Sequence, residues 1–226
     1  MRSQLLAFAG VIALGFASAQ GVYITVDTSP IVNTDFRTYT NGSNYPAGGQ
    51  TLDFAGVPMK LALSSGAPGT LGIAQIPVTN VNTVFSVPVS IFGAQRLYSL
   101  VNAVRGVVGA DNGTVEVFGA GGSYAVLHFV QGFNIRDHFN GGYNNSISDP
   151  TTIATTYSGG LRLDRQVLEL PSSFLADTVN EVRFSGVGRR PEGAALLVGL
   201  TFEVVPSPGA VGLLGAAALV ALARRR

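Results

Sequence analysis

The chain has 226 residues, of which 46% are hydrophobic and only 12% are charged, against about 25% charged in an average soluble domain. It contains no cysteine, which excludes disulfides, thiolate nucleophiles and thiolate metal sites. Between residues 20 and 205, ten basic side chains stand against thirteen acidic ones, a net charge of −3 that argues against a nucleic-acid partner.

The N-terminal segment, residues 1–19, has the three parts of a secretory signal peptide. Arg2 provides the charged start, residues 5–16 are apolar apart from two glycines, and the cleavage site is formed by Ala17, Ala19 and Gln20. We therefore expect signal peptidase to release a mature chain that begins at Gln20. The alternative is an uncleaved N-terminal anchor, although the apolar run is short for a membrane span.

Residues 20–205 contain short alternating runs separated by turn sequences, which predicts one all-β domain, an antiparallel β-sandwich of jelly-roll type. The clearest alternation occupies the odd positions of 85–91, and Pro88 within it predicts an edge strand or a bulge. Asn112-Gly113 predicts a type I′ turn that closes a hairpin onto 114–118, and 119–122 predicts a second turn into the strand at 124–130. Other strands are expected near 22–24, 52–63, 161–170, 179–184 and 194–205, with one helical turn near 172–175. The largely apolar run at 97–108 predicts either a buried strand or a short helix.

The central stretch resembles the galactose-binding-like jelly-roll modules of carbohydrate-associated proteins. The resemblance rests on LYSLVN at 97–102, GTVEVFG at 113–119, the strand at 124–130, and GFNIRDH at 132–138 with its Asn-x-x-Asp element. It implies that glycans are the first ligand class to test. Such modules often hold a structural Ca²⁺ partly through backbone carbonyls, but no calcium-loop motif is present, so no metal or cofactor is predicted.

The densest polar cluster of the chain overlaps the end of this stretch and is the candidate ligand-contacting loop, formed by Arg136, Asp137, His138 and Asn140. In this interpretation Asp137 accepts sugar hydroxyls, and Phe139 or Tyr143 stacks on a sugar ring. The alternative is a turn in which Asp137 pairs with Arg136 or accepts hydrogen bonds from local backbone amides.

Motifs of known catalytic chemistry are missing, which predicts a non-enzymatic protein. The sequence has neither a G-x-S-x-G nucleophile motif nor a phosphate loop that ends in Gly-Lys. The second histidine, His128, lies in the 124–130 strand and is interpreted as a hydrogen-bonded, half-buried strand residue. Paired-carboxylate catalysis stays open as an alternative, because two of the scattered acids could meet in the fold: Asp137, Asp149, Asp164 and Glu169.

Residues 206–226 have the layout of a C-terminal sorting signal. Pro206, Ser207, Pro208 and Gly209 precede an uncharged apolar stretch and then Arg224, Arg225 and Arg226. A helix over 206–223 would rise about 27 Å at about 1.5 Å per residue, enough for a thin bilayer, with the arginines in the cytoplasm. The segment resembles the PEP-CTERM type of sorting signal, with Ser207 in place of the glutamate of Pro-Glu-Pro. The resemblance implies processing by an exosortase-like enzyme of Gram-negative-type bacteria, often ones that make an exopolysaccharide matrix.

Together these features predict an exported structural or glycan-binding protein of the cell surface, outer membrane or extracellular matrix. We expect it to pass through a transient or permanent single-span membrane form. The expected partners are signal peptidase, an exosortase-like enzyme, the membrane and polysaccharide. The alternatives are a secreted carbohydrate-active enzyme and a permanently anchored structural protein.

Overall fold

Strands provide most of the regular structure in the computed structural model, which describes residues 21–38, 44–66 and 69–206. Two predicted segments lie outside the described residues: the signal peptide with Ala17, Ala19 and Gln20, and the sorting segment from Ser207 onward, with Pro208, Gly209, Arg224, Arg225 and Arg226. Within the described part of the chain, no helix has the length and hydrophobicity needed to cross a membrane.

The described residues form twelve strands and four short 3₁₀ helices. The strands are β1 (Val22–Val26), β2 (Thr34–Asp35), β3 (Thr51–Phe54), β4 (Val57–Lys60), β5 (Gly72–Gln75), β6 (Asn82–Phe92), β7 (Ala94–Val104), β8 (Asp111–Gly119), β9 (Tyr124–Val130), β10 (Arg165–Glu169), β11 (Thr178–Val187) and β12 (Ala194–Val204). The 3₁₀ helices are Ser29–Ile31, Phe36–Thr38, Ser158–Gly160 and Ser172–Ala176.

Two antiparallel sheets pack face to face, which confirms the predicted all-β sandwich. The first sheet has the order β10-β7-β12-β5-β2, and β1 pairs with β12 beyond β5, from Val26 opposite Leu200 to Val22 opposite Val204. The second sheet has the order β6-β11-β8-β9. Strands β5 to β12 change sheet at every connection except that between β8 and β9, so most loops join the two sheets at the ends of the sandwich.

The main core lies between the inner faces of these sheets. In β6 the odd positions are at least half buried and the even positions exposed, as predicted, because only one face of this edge strand contacts the core. Pro88 is tolerated there because β6 has one hydrogen-bonding partner, β11, which carries a bulge next to it. Phe184 contacts Phe129 edge-on and stacks with Phe85, at ring separations of 6.2 and 6.1 Å.

The β3–β4 hairpin adds a third layer, outside the first sheet. Thr201 donates a hydrogen bond to the carbonyl of Pro58 at 2.7 Å, and a Cβ at Gly199 would lie 2.7 Å from the carbonyl oxygen of Lys60. This close approach is why all eleven residues of β12 are buried.

The predicted type I′ turn at Asn112-Gly113 is wrong. Both residues lie inside β8, where the pairing with β9 shifts between Asp111 and Thr114. Gly113 has φ of +145°, so its conformational freedom serves a bulge rather than a hairpin loop. The hairpin between β8 and β9 closes at residues 120–123, where the second turn was predicted.

Candidate functional site

The structure brings the four residues of the candidate ligand loop together but places two of them in the interior. Asp137 and His138 are 0% and 1% exposed, whereas Arg136 is half-buried and Asn140 is exposed. The segment runs beside β7, because Ala103 donates to the Arg136 carbonyl and accepts from the His138 amide, at 2.9 and 2.8 Å. In this arrangement neither Asp137 nor His138 is reached from solvent.

Burial sets the protonation of these two side chains. It raises the pKa of Asp137 to about 7, an effect that the backbone amides of Phe139 and His138 and the charge of Arg162 only partly offset. Burial, followed by the charge of Arg162, lowers the pKa of His138 to about 4. Among the described residues, no donor meets the distance and angle of a hydrogen bond to either carboxylate oxygen of Asp137, so the Phe139 and His138 amides act on its charge without a formed hydrogen bond. At pH 6 the pair is therefore a neutral carboxylic acid beside a neutral imidazole.

Arg136 does not pair with Asp137 but with Asp164, through two bonds of 2.8 and 2.9 Å. Asp164 is 0% exposed and also accepts hydrogen bonds from the side chain of Asn102 and the backbone of Thr155. Each of the two oxygens of this carboxylate accepts two hydrogen bonds, so none of its lone pairs is left for a ligand. We therefore interpret the Arg136–Asp164 pair as an interaction that stabilises the fold.

A more accessible site lies at one end of the sandwich, where the β5–β6, β7–β8 and β11–β12 loops meet. An open groove of about 460 Å³, the end groove, is lined by Asp111, Gly113, Thr114, Ser185, Arg189 and Glu192. A second groove of about 560 Å³, the arginine groove, is lined by Val78, Thr79, Asn80, Arg189, Arg190 and Glu192. The two share Arg189 and Glu192, and each has the volume of a small-ligand site.

Backbone hydrogen bonds hold the three loops in place. Arg189 and Gly193 exchange two bonds of 3.1 and 2.8 Å across the 189–193 turn. The amide of Asn80 donates to the Gly188 carbonyl at 2.8 Å, and that of Val107 donates to the Glu192 carbonyl at 3.2 Å. The grooves are therefore formed before any ligand arrives, which lowers the entropy lost on binding.

The floor of the end groove is formed by glycines, which leave room because they have no side chain. At Gly113 a Cβ would lie 2.7 Å from the Ser185 carbonyl oxygen. At Gly193, where φ is +107°, it would lie 2.9 Å from the Cα of Gly106. Larger residues at either position would push the loops apart and change the shape of the groove.

Both hydrogen-bond donors and hydrogen-bond acceptors line the end groove. Asp111 Oδ2 lies 2.7 Å from His128 Nδ1, and the hydroxyls of Thr114 and Ser185 lie 3.0 Å apart. Within the described chain, no ion pair engages the exposed side chains of Arg189 and Glu192. Such a mixture of donors and acceptors suits a ligand with many hydroxyl groups.

The outer face of the second sheet continues from the end groove and carries an aromatic pair. Phe118 lies directly opposite Tyr124 in the β8–β9 pairing, with ring centres 5.3 Å apart. Tyr124 is 48% exposed, and the Arg183 guanidinium lies 4.4 Å from the centre of the Phe118 ring. Thr114 precedes Phe118 by four strand residues, about 14 Å. The groove and the aromatic pair could thus contact one extended ligand.

The described residues form neither a complete nucleophile–histidine–acid arrangement nor a cluster of metal ligands. Asp111 orients His128 as a carboxylate orients the histidine of a catalytic triad, but no hydroxyl of the described residues hydrogen-bonds that imidazole. No group of three or more His, Asp or Glu side chains in the described ranges could hold a metal ion.

No family model and no curated protein matches the chain. A solved structure of the VP2 subviral particle of infectious bursal disease virus aligns with 96% of this chain and 71% of its own, at 12% identity and a TM-score of 0.19. A score this low carries no argument about fold or function.

Sequence reasoning missed the end-groove residues Thr114, Ser185, Arg189 and Glu192. One signal was available, the run GVGRRPEG at 186–193, in which three charged residues stand between glycines. Glycine-flanked charges of this kind are typical of tight loops that expose their side chains.

Proposed function

We propose that the protein is an exported, non-enzymatic module that binds carbohydrate through the end groove and the adjoining outer face of the second sheet. The observation that carries the proposal is the groove itself, which is open, preformed and lined by hydroxyl, carboxylate and guanidinium groups. An exposed tyrosine on the same sheet offers an apolar surface for a sugar ring. Sequence features alone support export, in particular the signal-peptide pattern.

The jelly-roll interpretation of the sandwich belongs to this proposal. Its support is the repeated change of sheet between β5 and β12, which brings the connecting loops to the two ends. Ligand-binding residues are often on such loops, because a rigid sandwich holds the loops while their sequences vary.

Affinity electrophoresis of the purified full chain through gels that contain soluble glucans, galactans, mannans or polyuronates tests the binding. The informative variant is Thr114→Val/Ser185→Ala, which removes two hydroxyls that contact each other and leaves no partner unpaired. We expect it to fold normally and to lose retardation. The matched control is Ser172→Ala/Ser173→Ala, two exposed serines at the opposite end of the sandwich. Absence of retardation by every polysaccharide would rule out the binding function.

Delivery to the surface is tested separately, by intact mass of the protein recovered from the producing bacterium. We expect an N-terminus at Gln20 and a C-terminus trimmed within residues 206–209, as an exosortase-like enzyme would leave. A chain that keeps Arg224, Arg225 and Arg226 would instead be a permanently anchored protein.

A secreted carbohydrate-active enzyme is the second candidate, and one observation favours it. Asp111 and Glu192 line the same groove, and glycoside hydrolases place two carboxylates on either side of the bond they cleave. Release of new reducing ends from the polysaccharide panel, abolished by Asp111→Asn and by Glu192→Gln, would establish hydrolysis. No release alongside retained binding would leave the binding function alone.

A further inference from the structure

We infer that the arginine groove selects polysaccharides that carry carboxylate groups, that is, polymers of uronic acids. The inference rests on the proposed carbohydrate-binding function and names its ligand class. It starts from the ion-pair pattern of the described residues. Five basic side chains each pair with an acid, in four cases at or near the surface: Arg37, Lys60, Arg96, Arg136 and Arg183. Within the same ranges Arg189 and Arg190 pair with none, although both are exposed.

Two arginines that are consecutive in the chain line one groove, and their guanidinium groups suit anionic groups of planar shape. A guanidinium binds a carboxylate through two parallel N–H donors, which a neutral hydroxyl cannot match. The reciprocal backbone bonds between Arg189 and Gly193, with the Asn80–Gly188 bond beside them, fix the turn that carries both arginines. Their backbones are thus fixed before a ligand binds, whereas no described residue forms an ion pair or a hydrogen bond with their side chains.

The surrounding charges favour a carboxylate polymer over a densely charged one. Glu192 lines the same groove as the arginines, and Asp111 lines the adjoining one, so the two grooves together carry no net formal charge. Residues 20–205 together carry a net charge of −3, which repels polyanions at long range. Recognition must therefore be local, through hydrogen bonds to spaced carboxylates with hydroxyls between them, which the Thr79 and Asn80 side chains can also contact.

The test compares two forms of one polymer, polygalacturonate and its methyl ester, which share every sugar but differ in the charge of the carboxyl group. We expect the purified full chain to bind polygalacturonate at least about tenfold more tightly than the ester, in titration calorimetry or affinity electrophoresis. Arg189→Gln/Arg190→Gln should remove this preference. Arg190→Gln, at a residue that lines the arginine groove and not the end groove, should lower the preference and leave binding of the ester unchanged. Arg189→Lys/Arg190→Lys keeps the charge but loses the paired donors, so it should keep only part of the preference.

The matched control is Arg37→Gln/Lys60→Gln, which removes the same charge from the Phe36–Thr38 3₁₀ helix and the β3–β4 hairpin, away from both grooves. Equal affinity for the two polymers would overturn the inference and leave carbohydrate binding intact, whereas no binding to any polysaccharide would overturn both. A preference that survives Arg189→Gln/Arg190→Gln, or equally tight binding of dextran sulfate, would also overturn it, because neither depends on carboxylate recognition in this groove.

Discussion

Replacement of Asp137 by asparagine should make the stability of the protein depend on pH in a way that the wild type conceals. Burial raises the pKa of Asp137 from 3.8 to about 7 and lowers the pKa of His138 from 6.5 to about 4. Between about pH 4 and 6.5 the native state therefore holds one proton more than the unfolded state at Asp137 and one fewer at His138. The two contributions to the slope of stability against pH cancel.

The size of each contribution follows from the pKa shift. About three units at Asp137 correspond to about 4 kcal/mol of stability, present below pH 4 and lost as the pH rises to 7. About 2.5 units at His138 correspond to about 3 kcal/mol, lost as the pH falls from 6.5 to 4. With Asp137→Asn only the histidine contribution remains, so the variant should gain stability between pH 4 and 6.5 while the wild type does not.

Urea unfolding followed by circular dichroism at half-unit steps from pH 4 to 8 measures this effect. The free energy of unfolding of Asp137→Asn minus that of the wild type should rise by about 4 kcal/mol between pH 4 and 7 and then level off. The control is Asp35→Asn, because the hydrogen bond from Arg37 lowers the pKa of that partly exposed carboxyl and gives a small change of opposite sign. A flat difference for Asp137→Asn would mean that this carboxyl is ionised in the native state, and the reasoning would be refuted.

Three further predictions concern stability, each measured by urea unfolding at pH 7. Asp164→Asn should destabilise the fold by about 3–5 kcal/mol because it leaves the Arg136 charge partly buried and unpaired, and a loss below about 1 kcal/mol would contradict the structural role given to that pair. Gly199→Ala should cost about 1–3 kcal/mol by pushing the β3–β4 hairpin off β12, and Gly142→Ala, where a Cβ meets nothing within 4 Å and φ is not in the left-handed region, controls for the loss of a glycine. Phe174→Ala should cost about 3–5 kcal/mol because the ring is fully buried, whereas Leu175→Ala, at a position 43% exposed, should cost much less.

The strands could be predicted from sequence wherever one face of a strand meets the core and the other meets water. The odd positions of β6 are an example, because alternation follows directly from the pleat. Asn112-Gly113 misled the prediction because a positive φ at glycine serves a bulge as readily as a type I′ turn. What distinguishes the two is the register of β8 against β9, which continues past Asn112-Gly113 to Asp111 opposite Val130.

The sites were harder to predict because they depend on residues far apart in the chain. The charge density around residues 136–140 was visible, but the burial of Asp137 and His138 depends on Tyr45 and Arg162, which pack against them from distant segments. The grooves combine loops more than a hundred residues apart, near Asn80 and Arg189. No local sequence pattern predicts that these loops lie side by side, because their proximity depends on the order of strands in the two sheets.

The pairing of β1 with β12 places the first and last strands of the sandwich side by side, so that the chain enters and leaves at the same end. Val22 lies opposite Val204, so the chain enters and leaves the sandwich side by side, at the end where Gly93 bonds Val205. The grooves lie at the other end, next to Gly193, and the eleven residues of β12 separate the two by about 34 Å. A tether attached after residue 206 would therefore hold the sandwich by one end, with both grooves at the other end, facing away from the point of attachment. Purification tags or fluorescent labels joined to either end should likewise leave the grooves open.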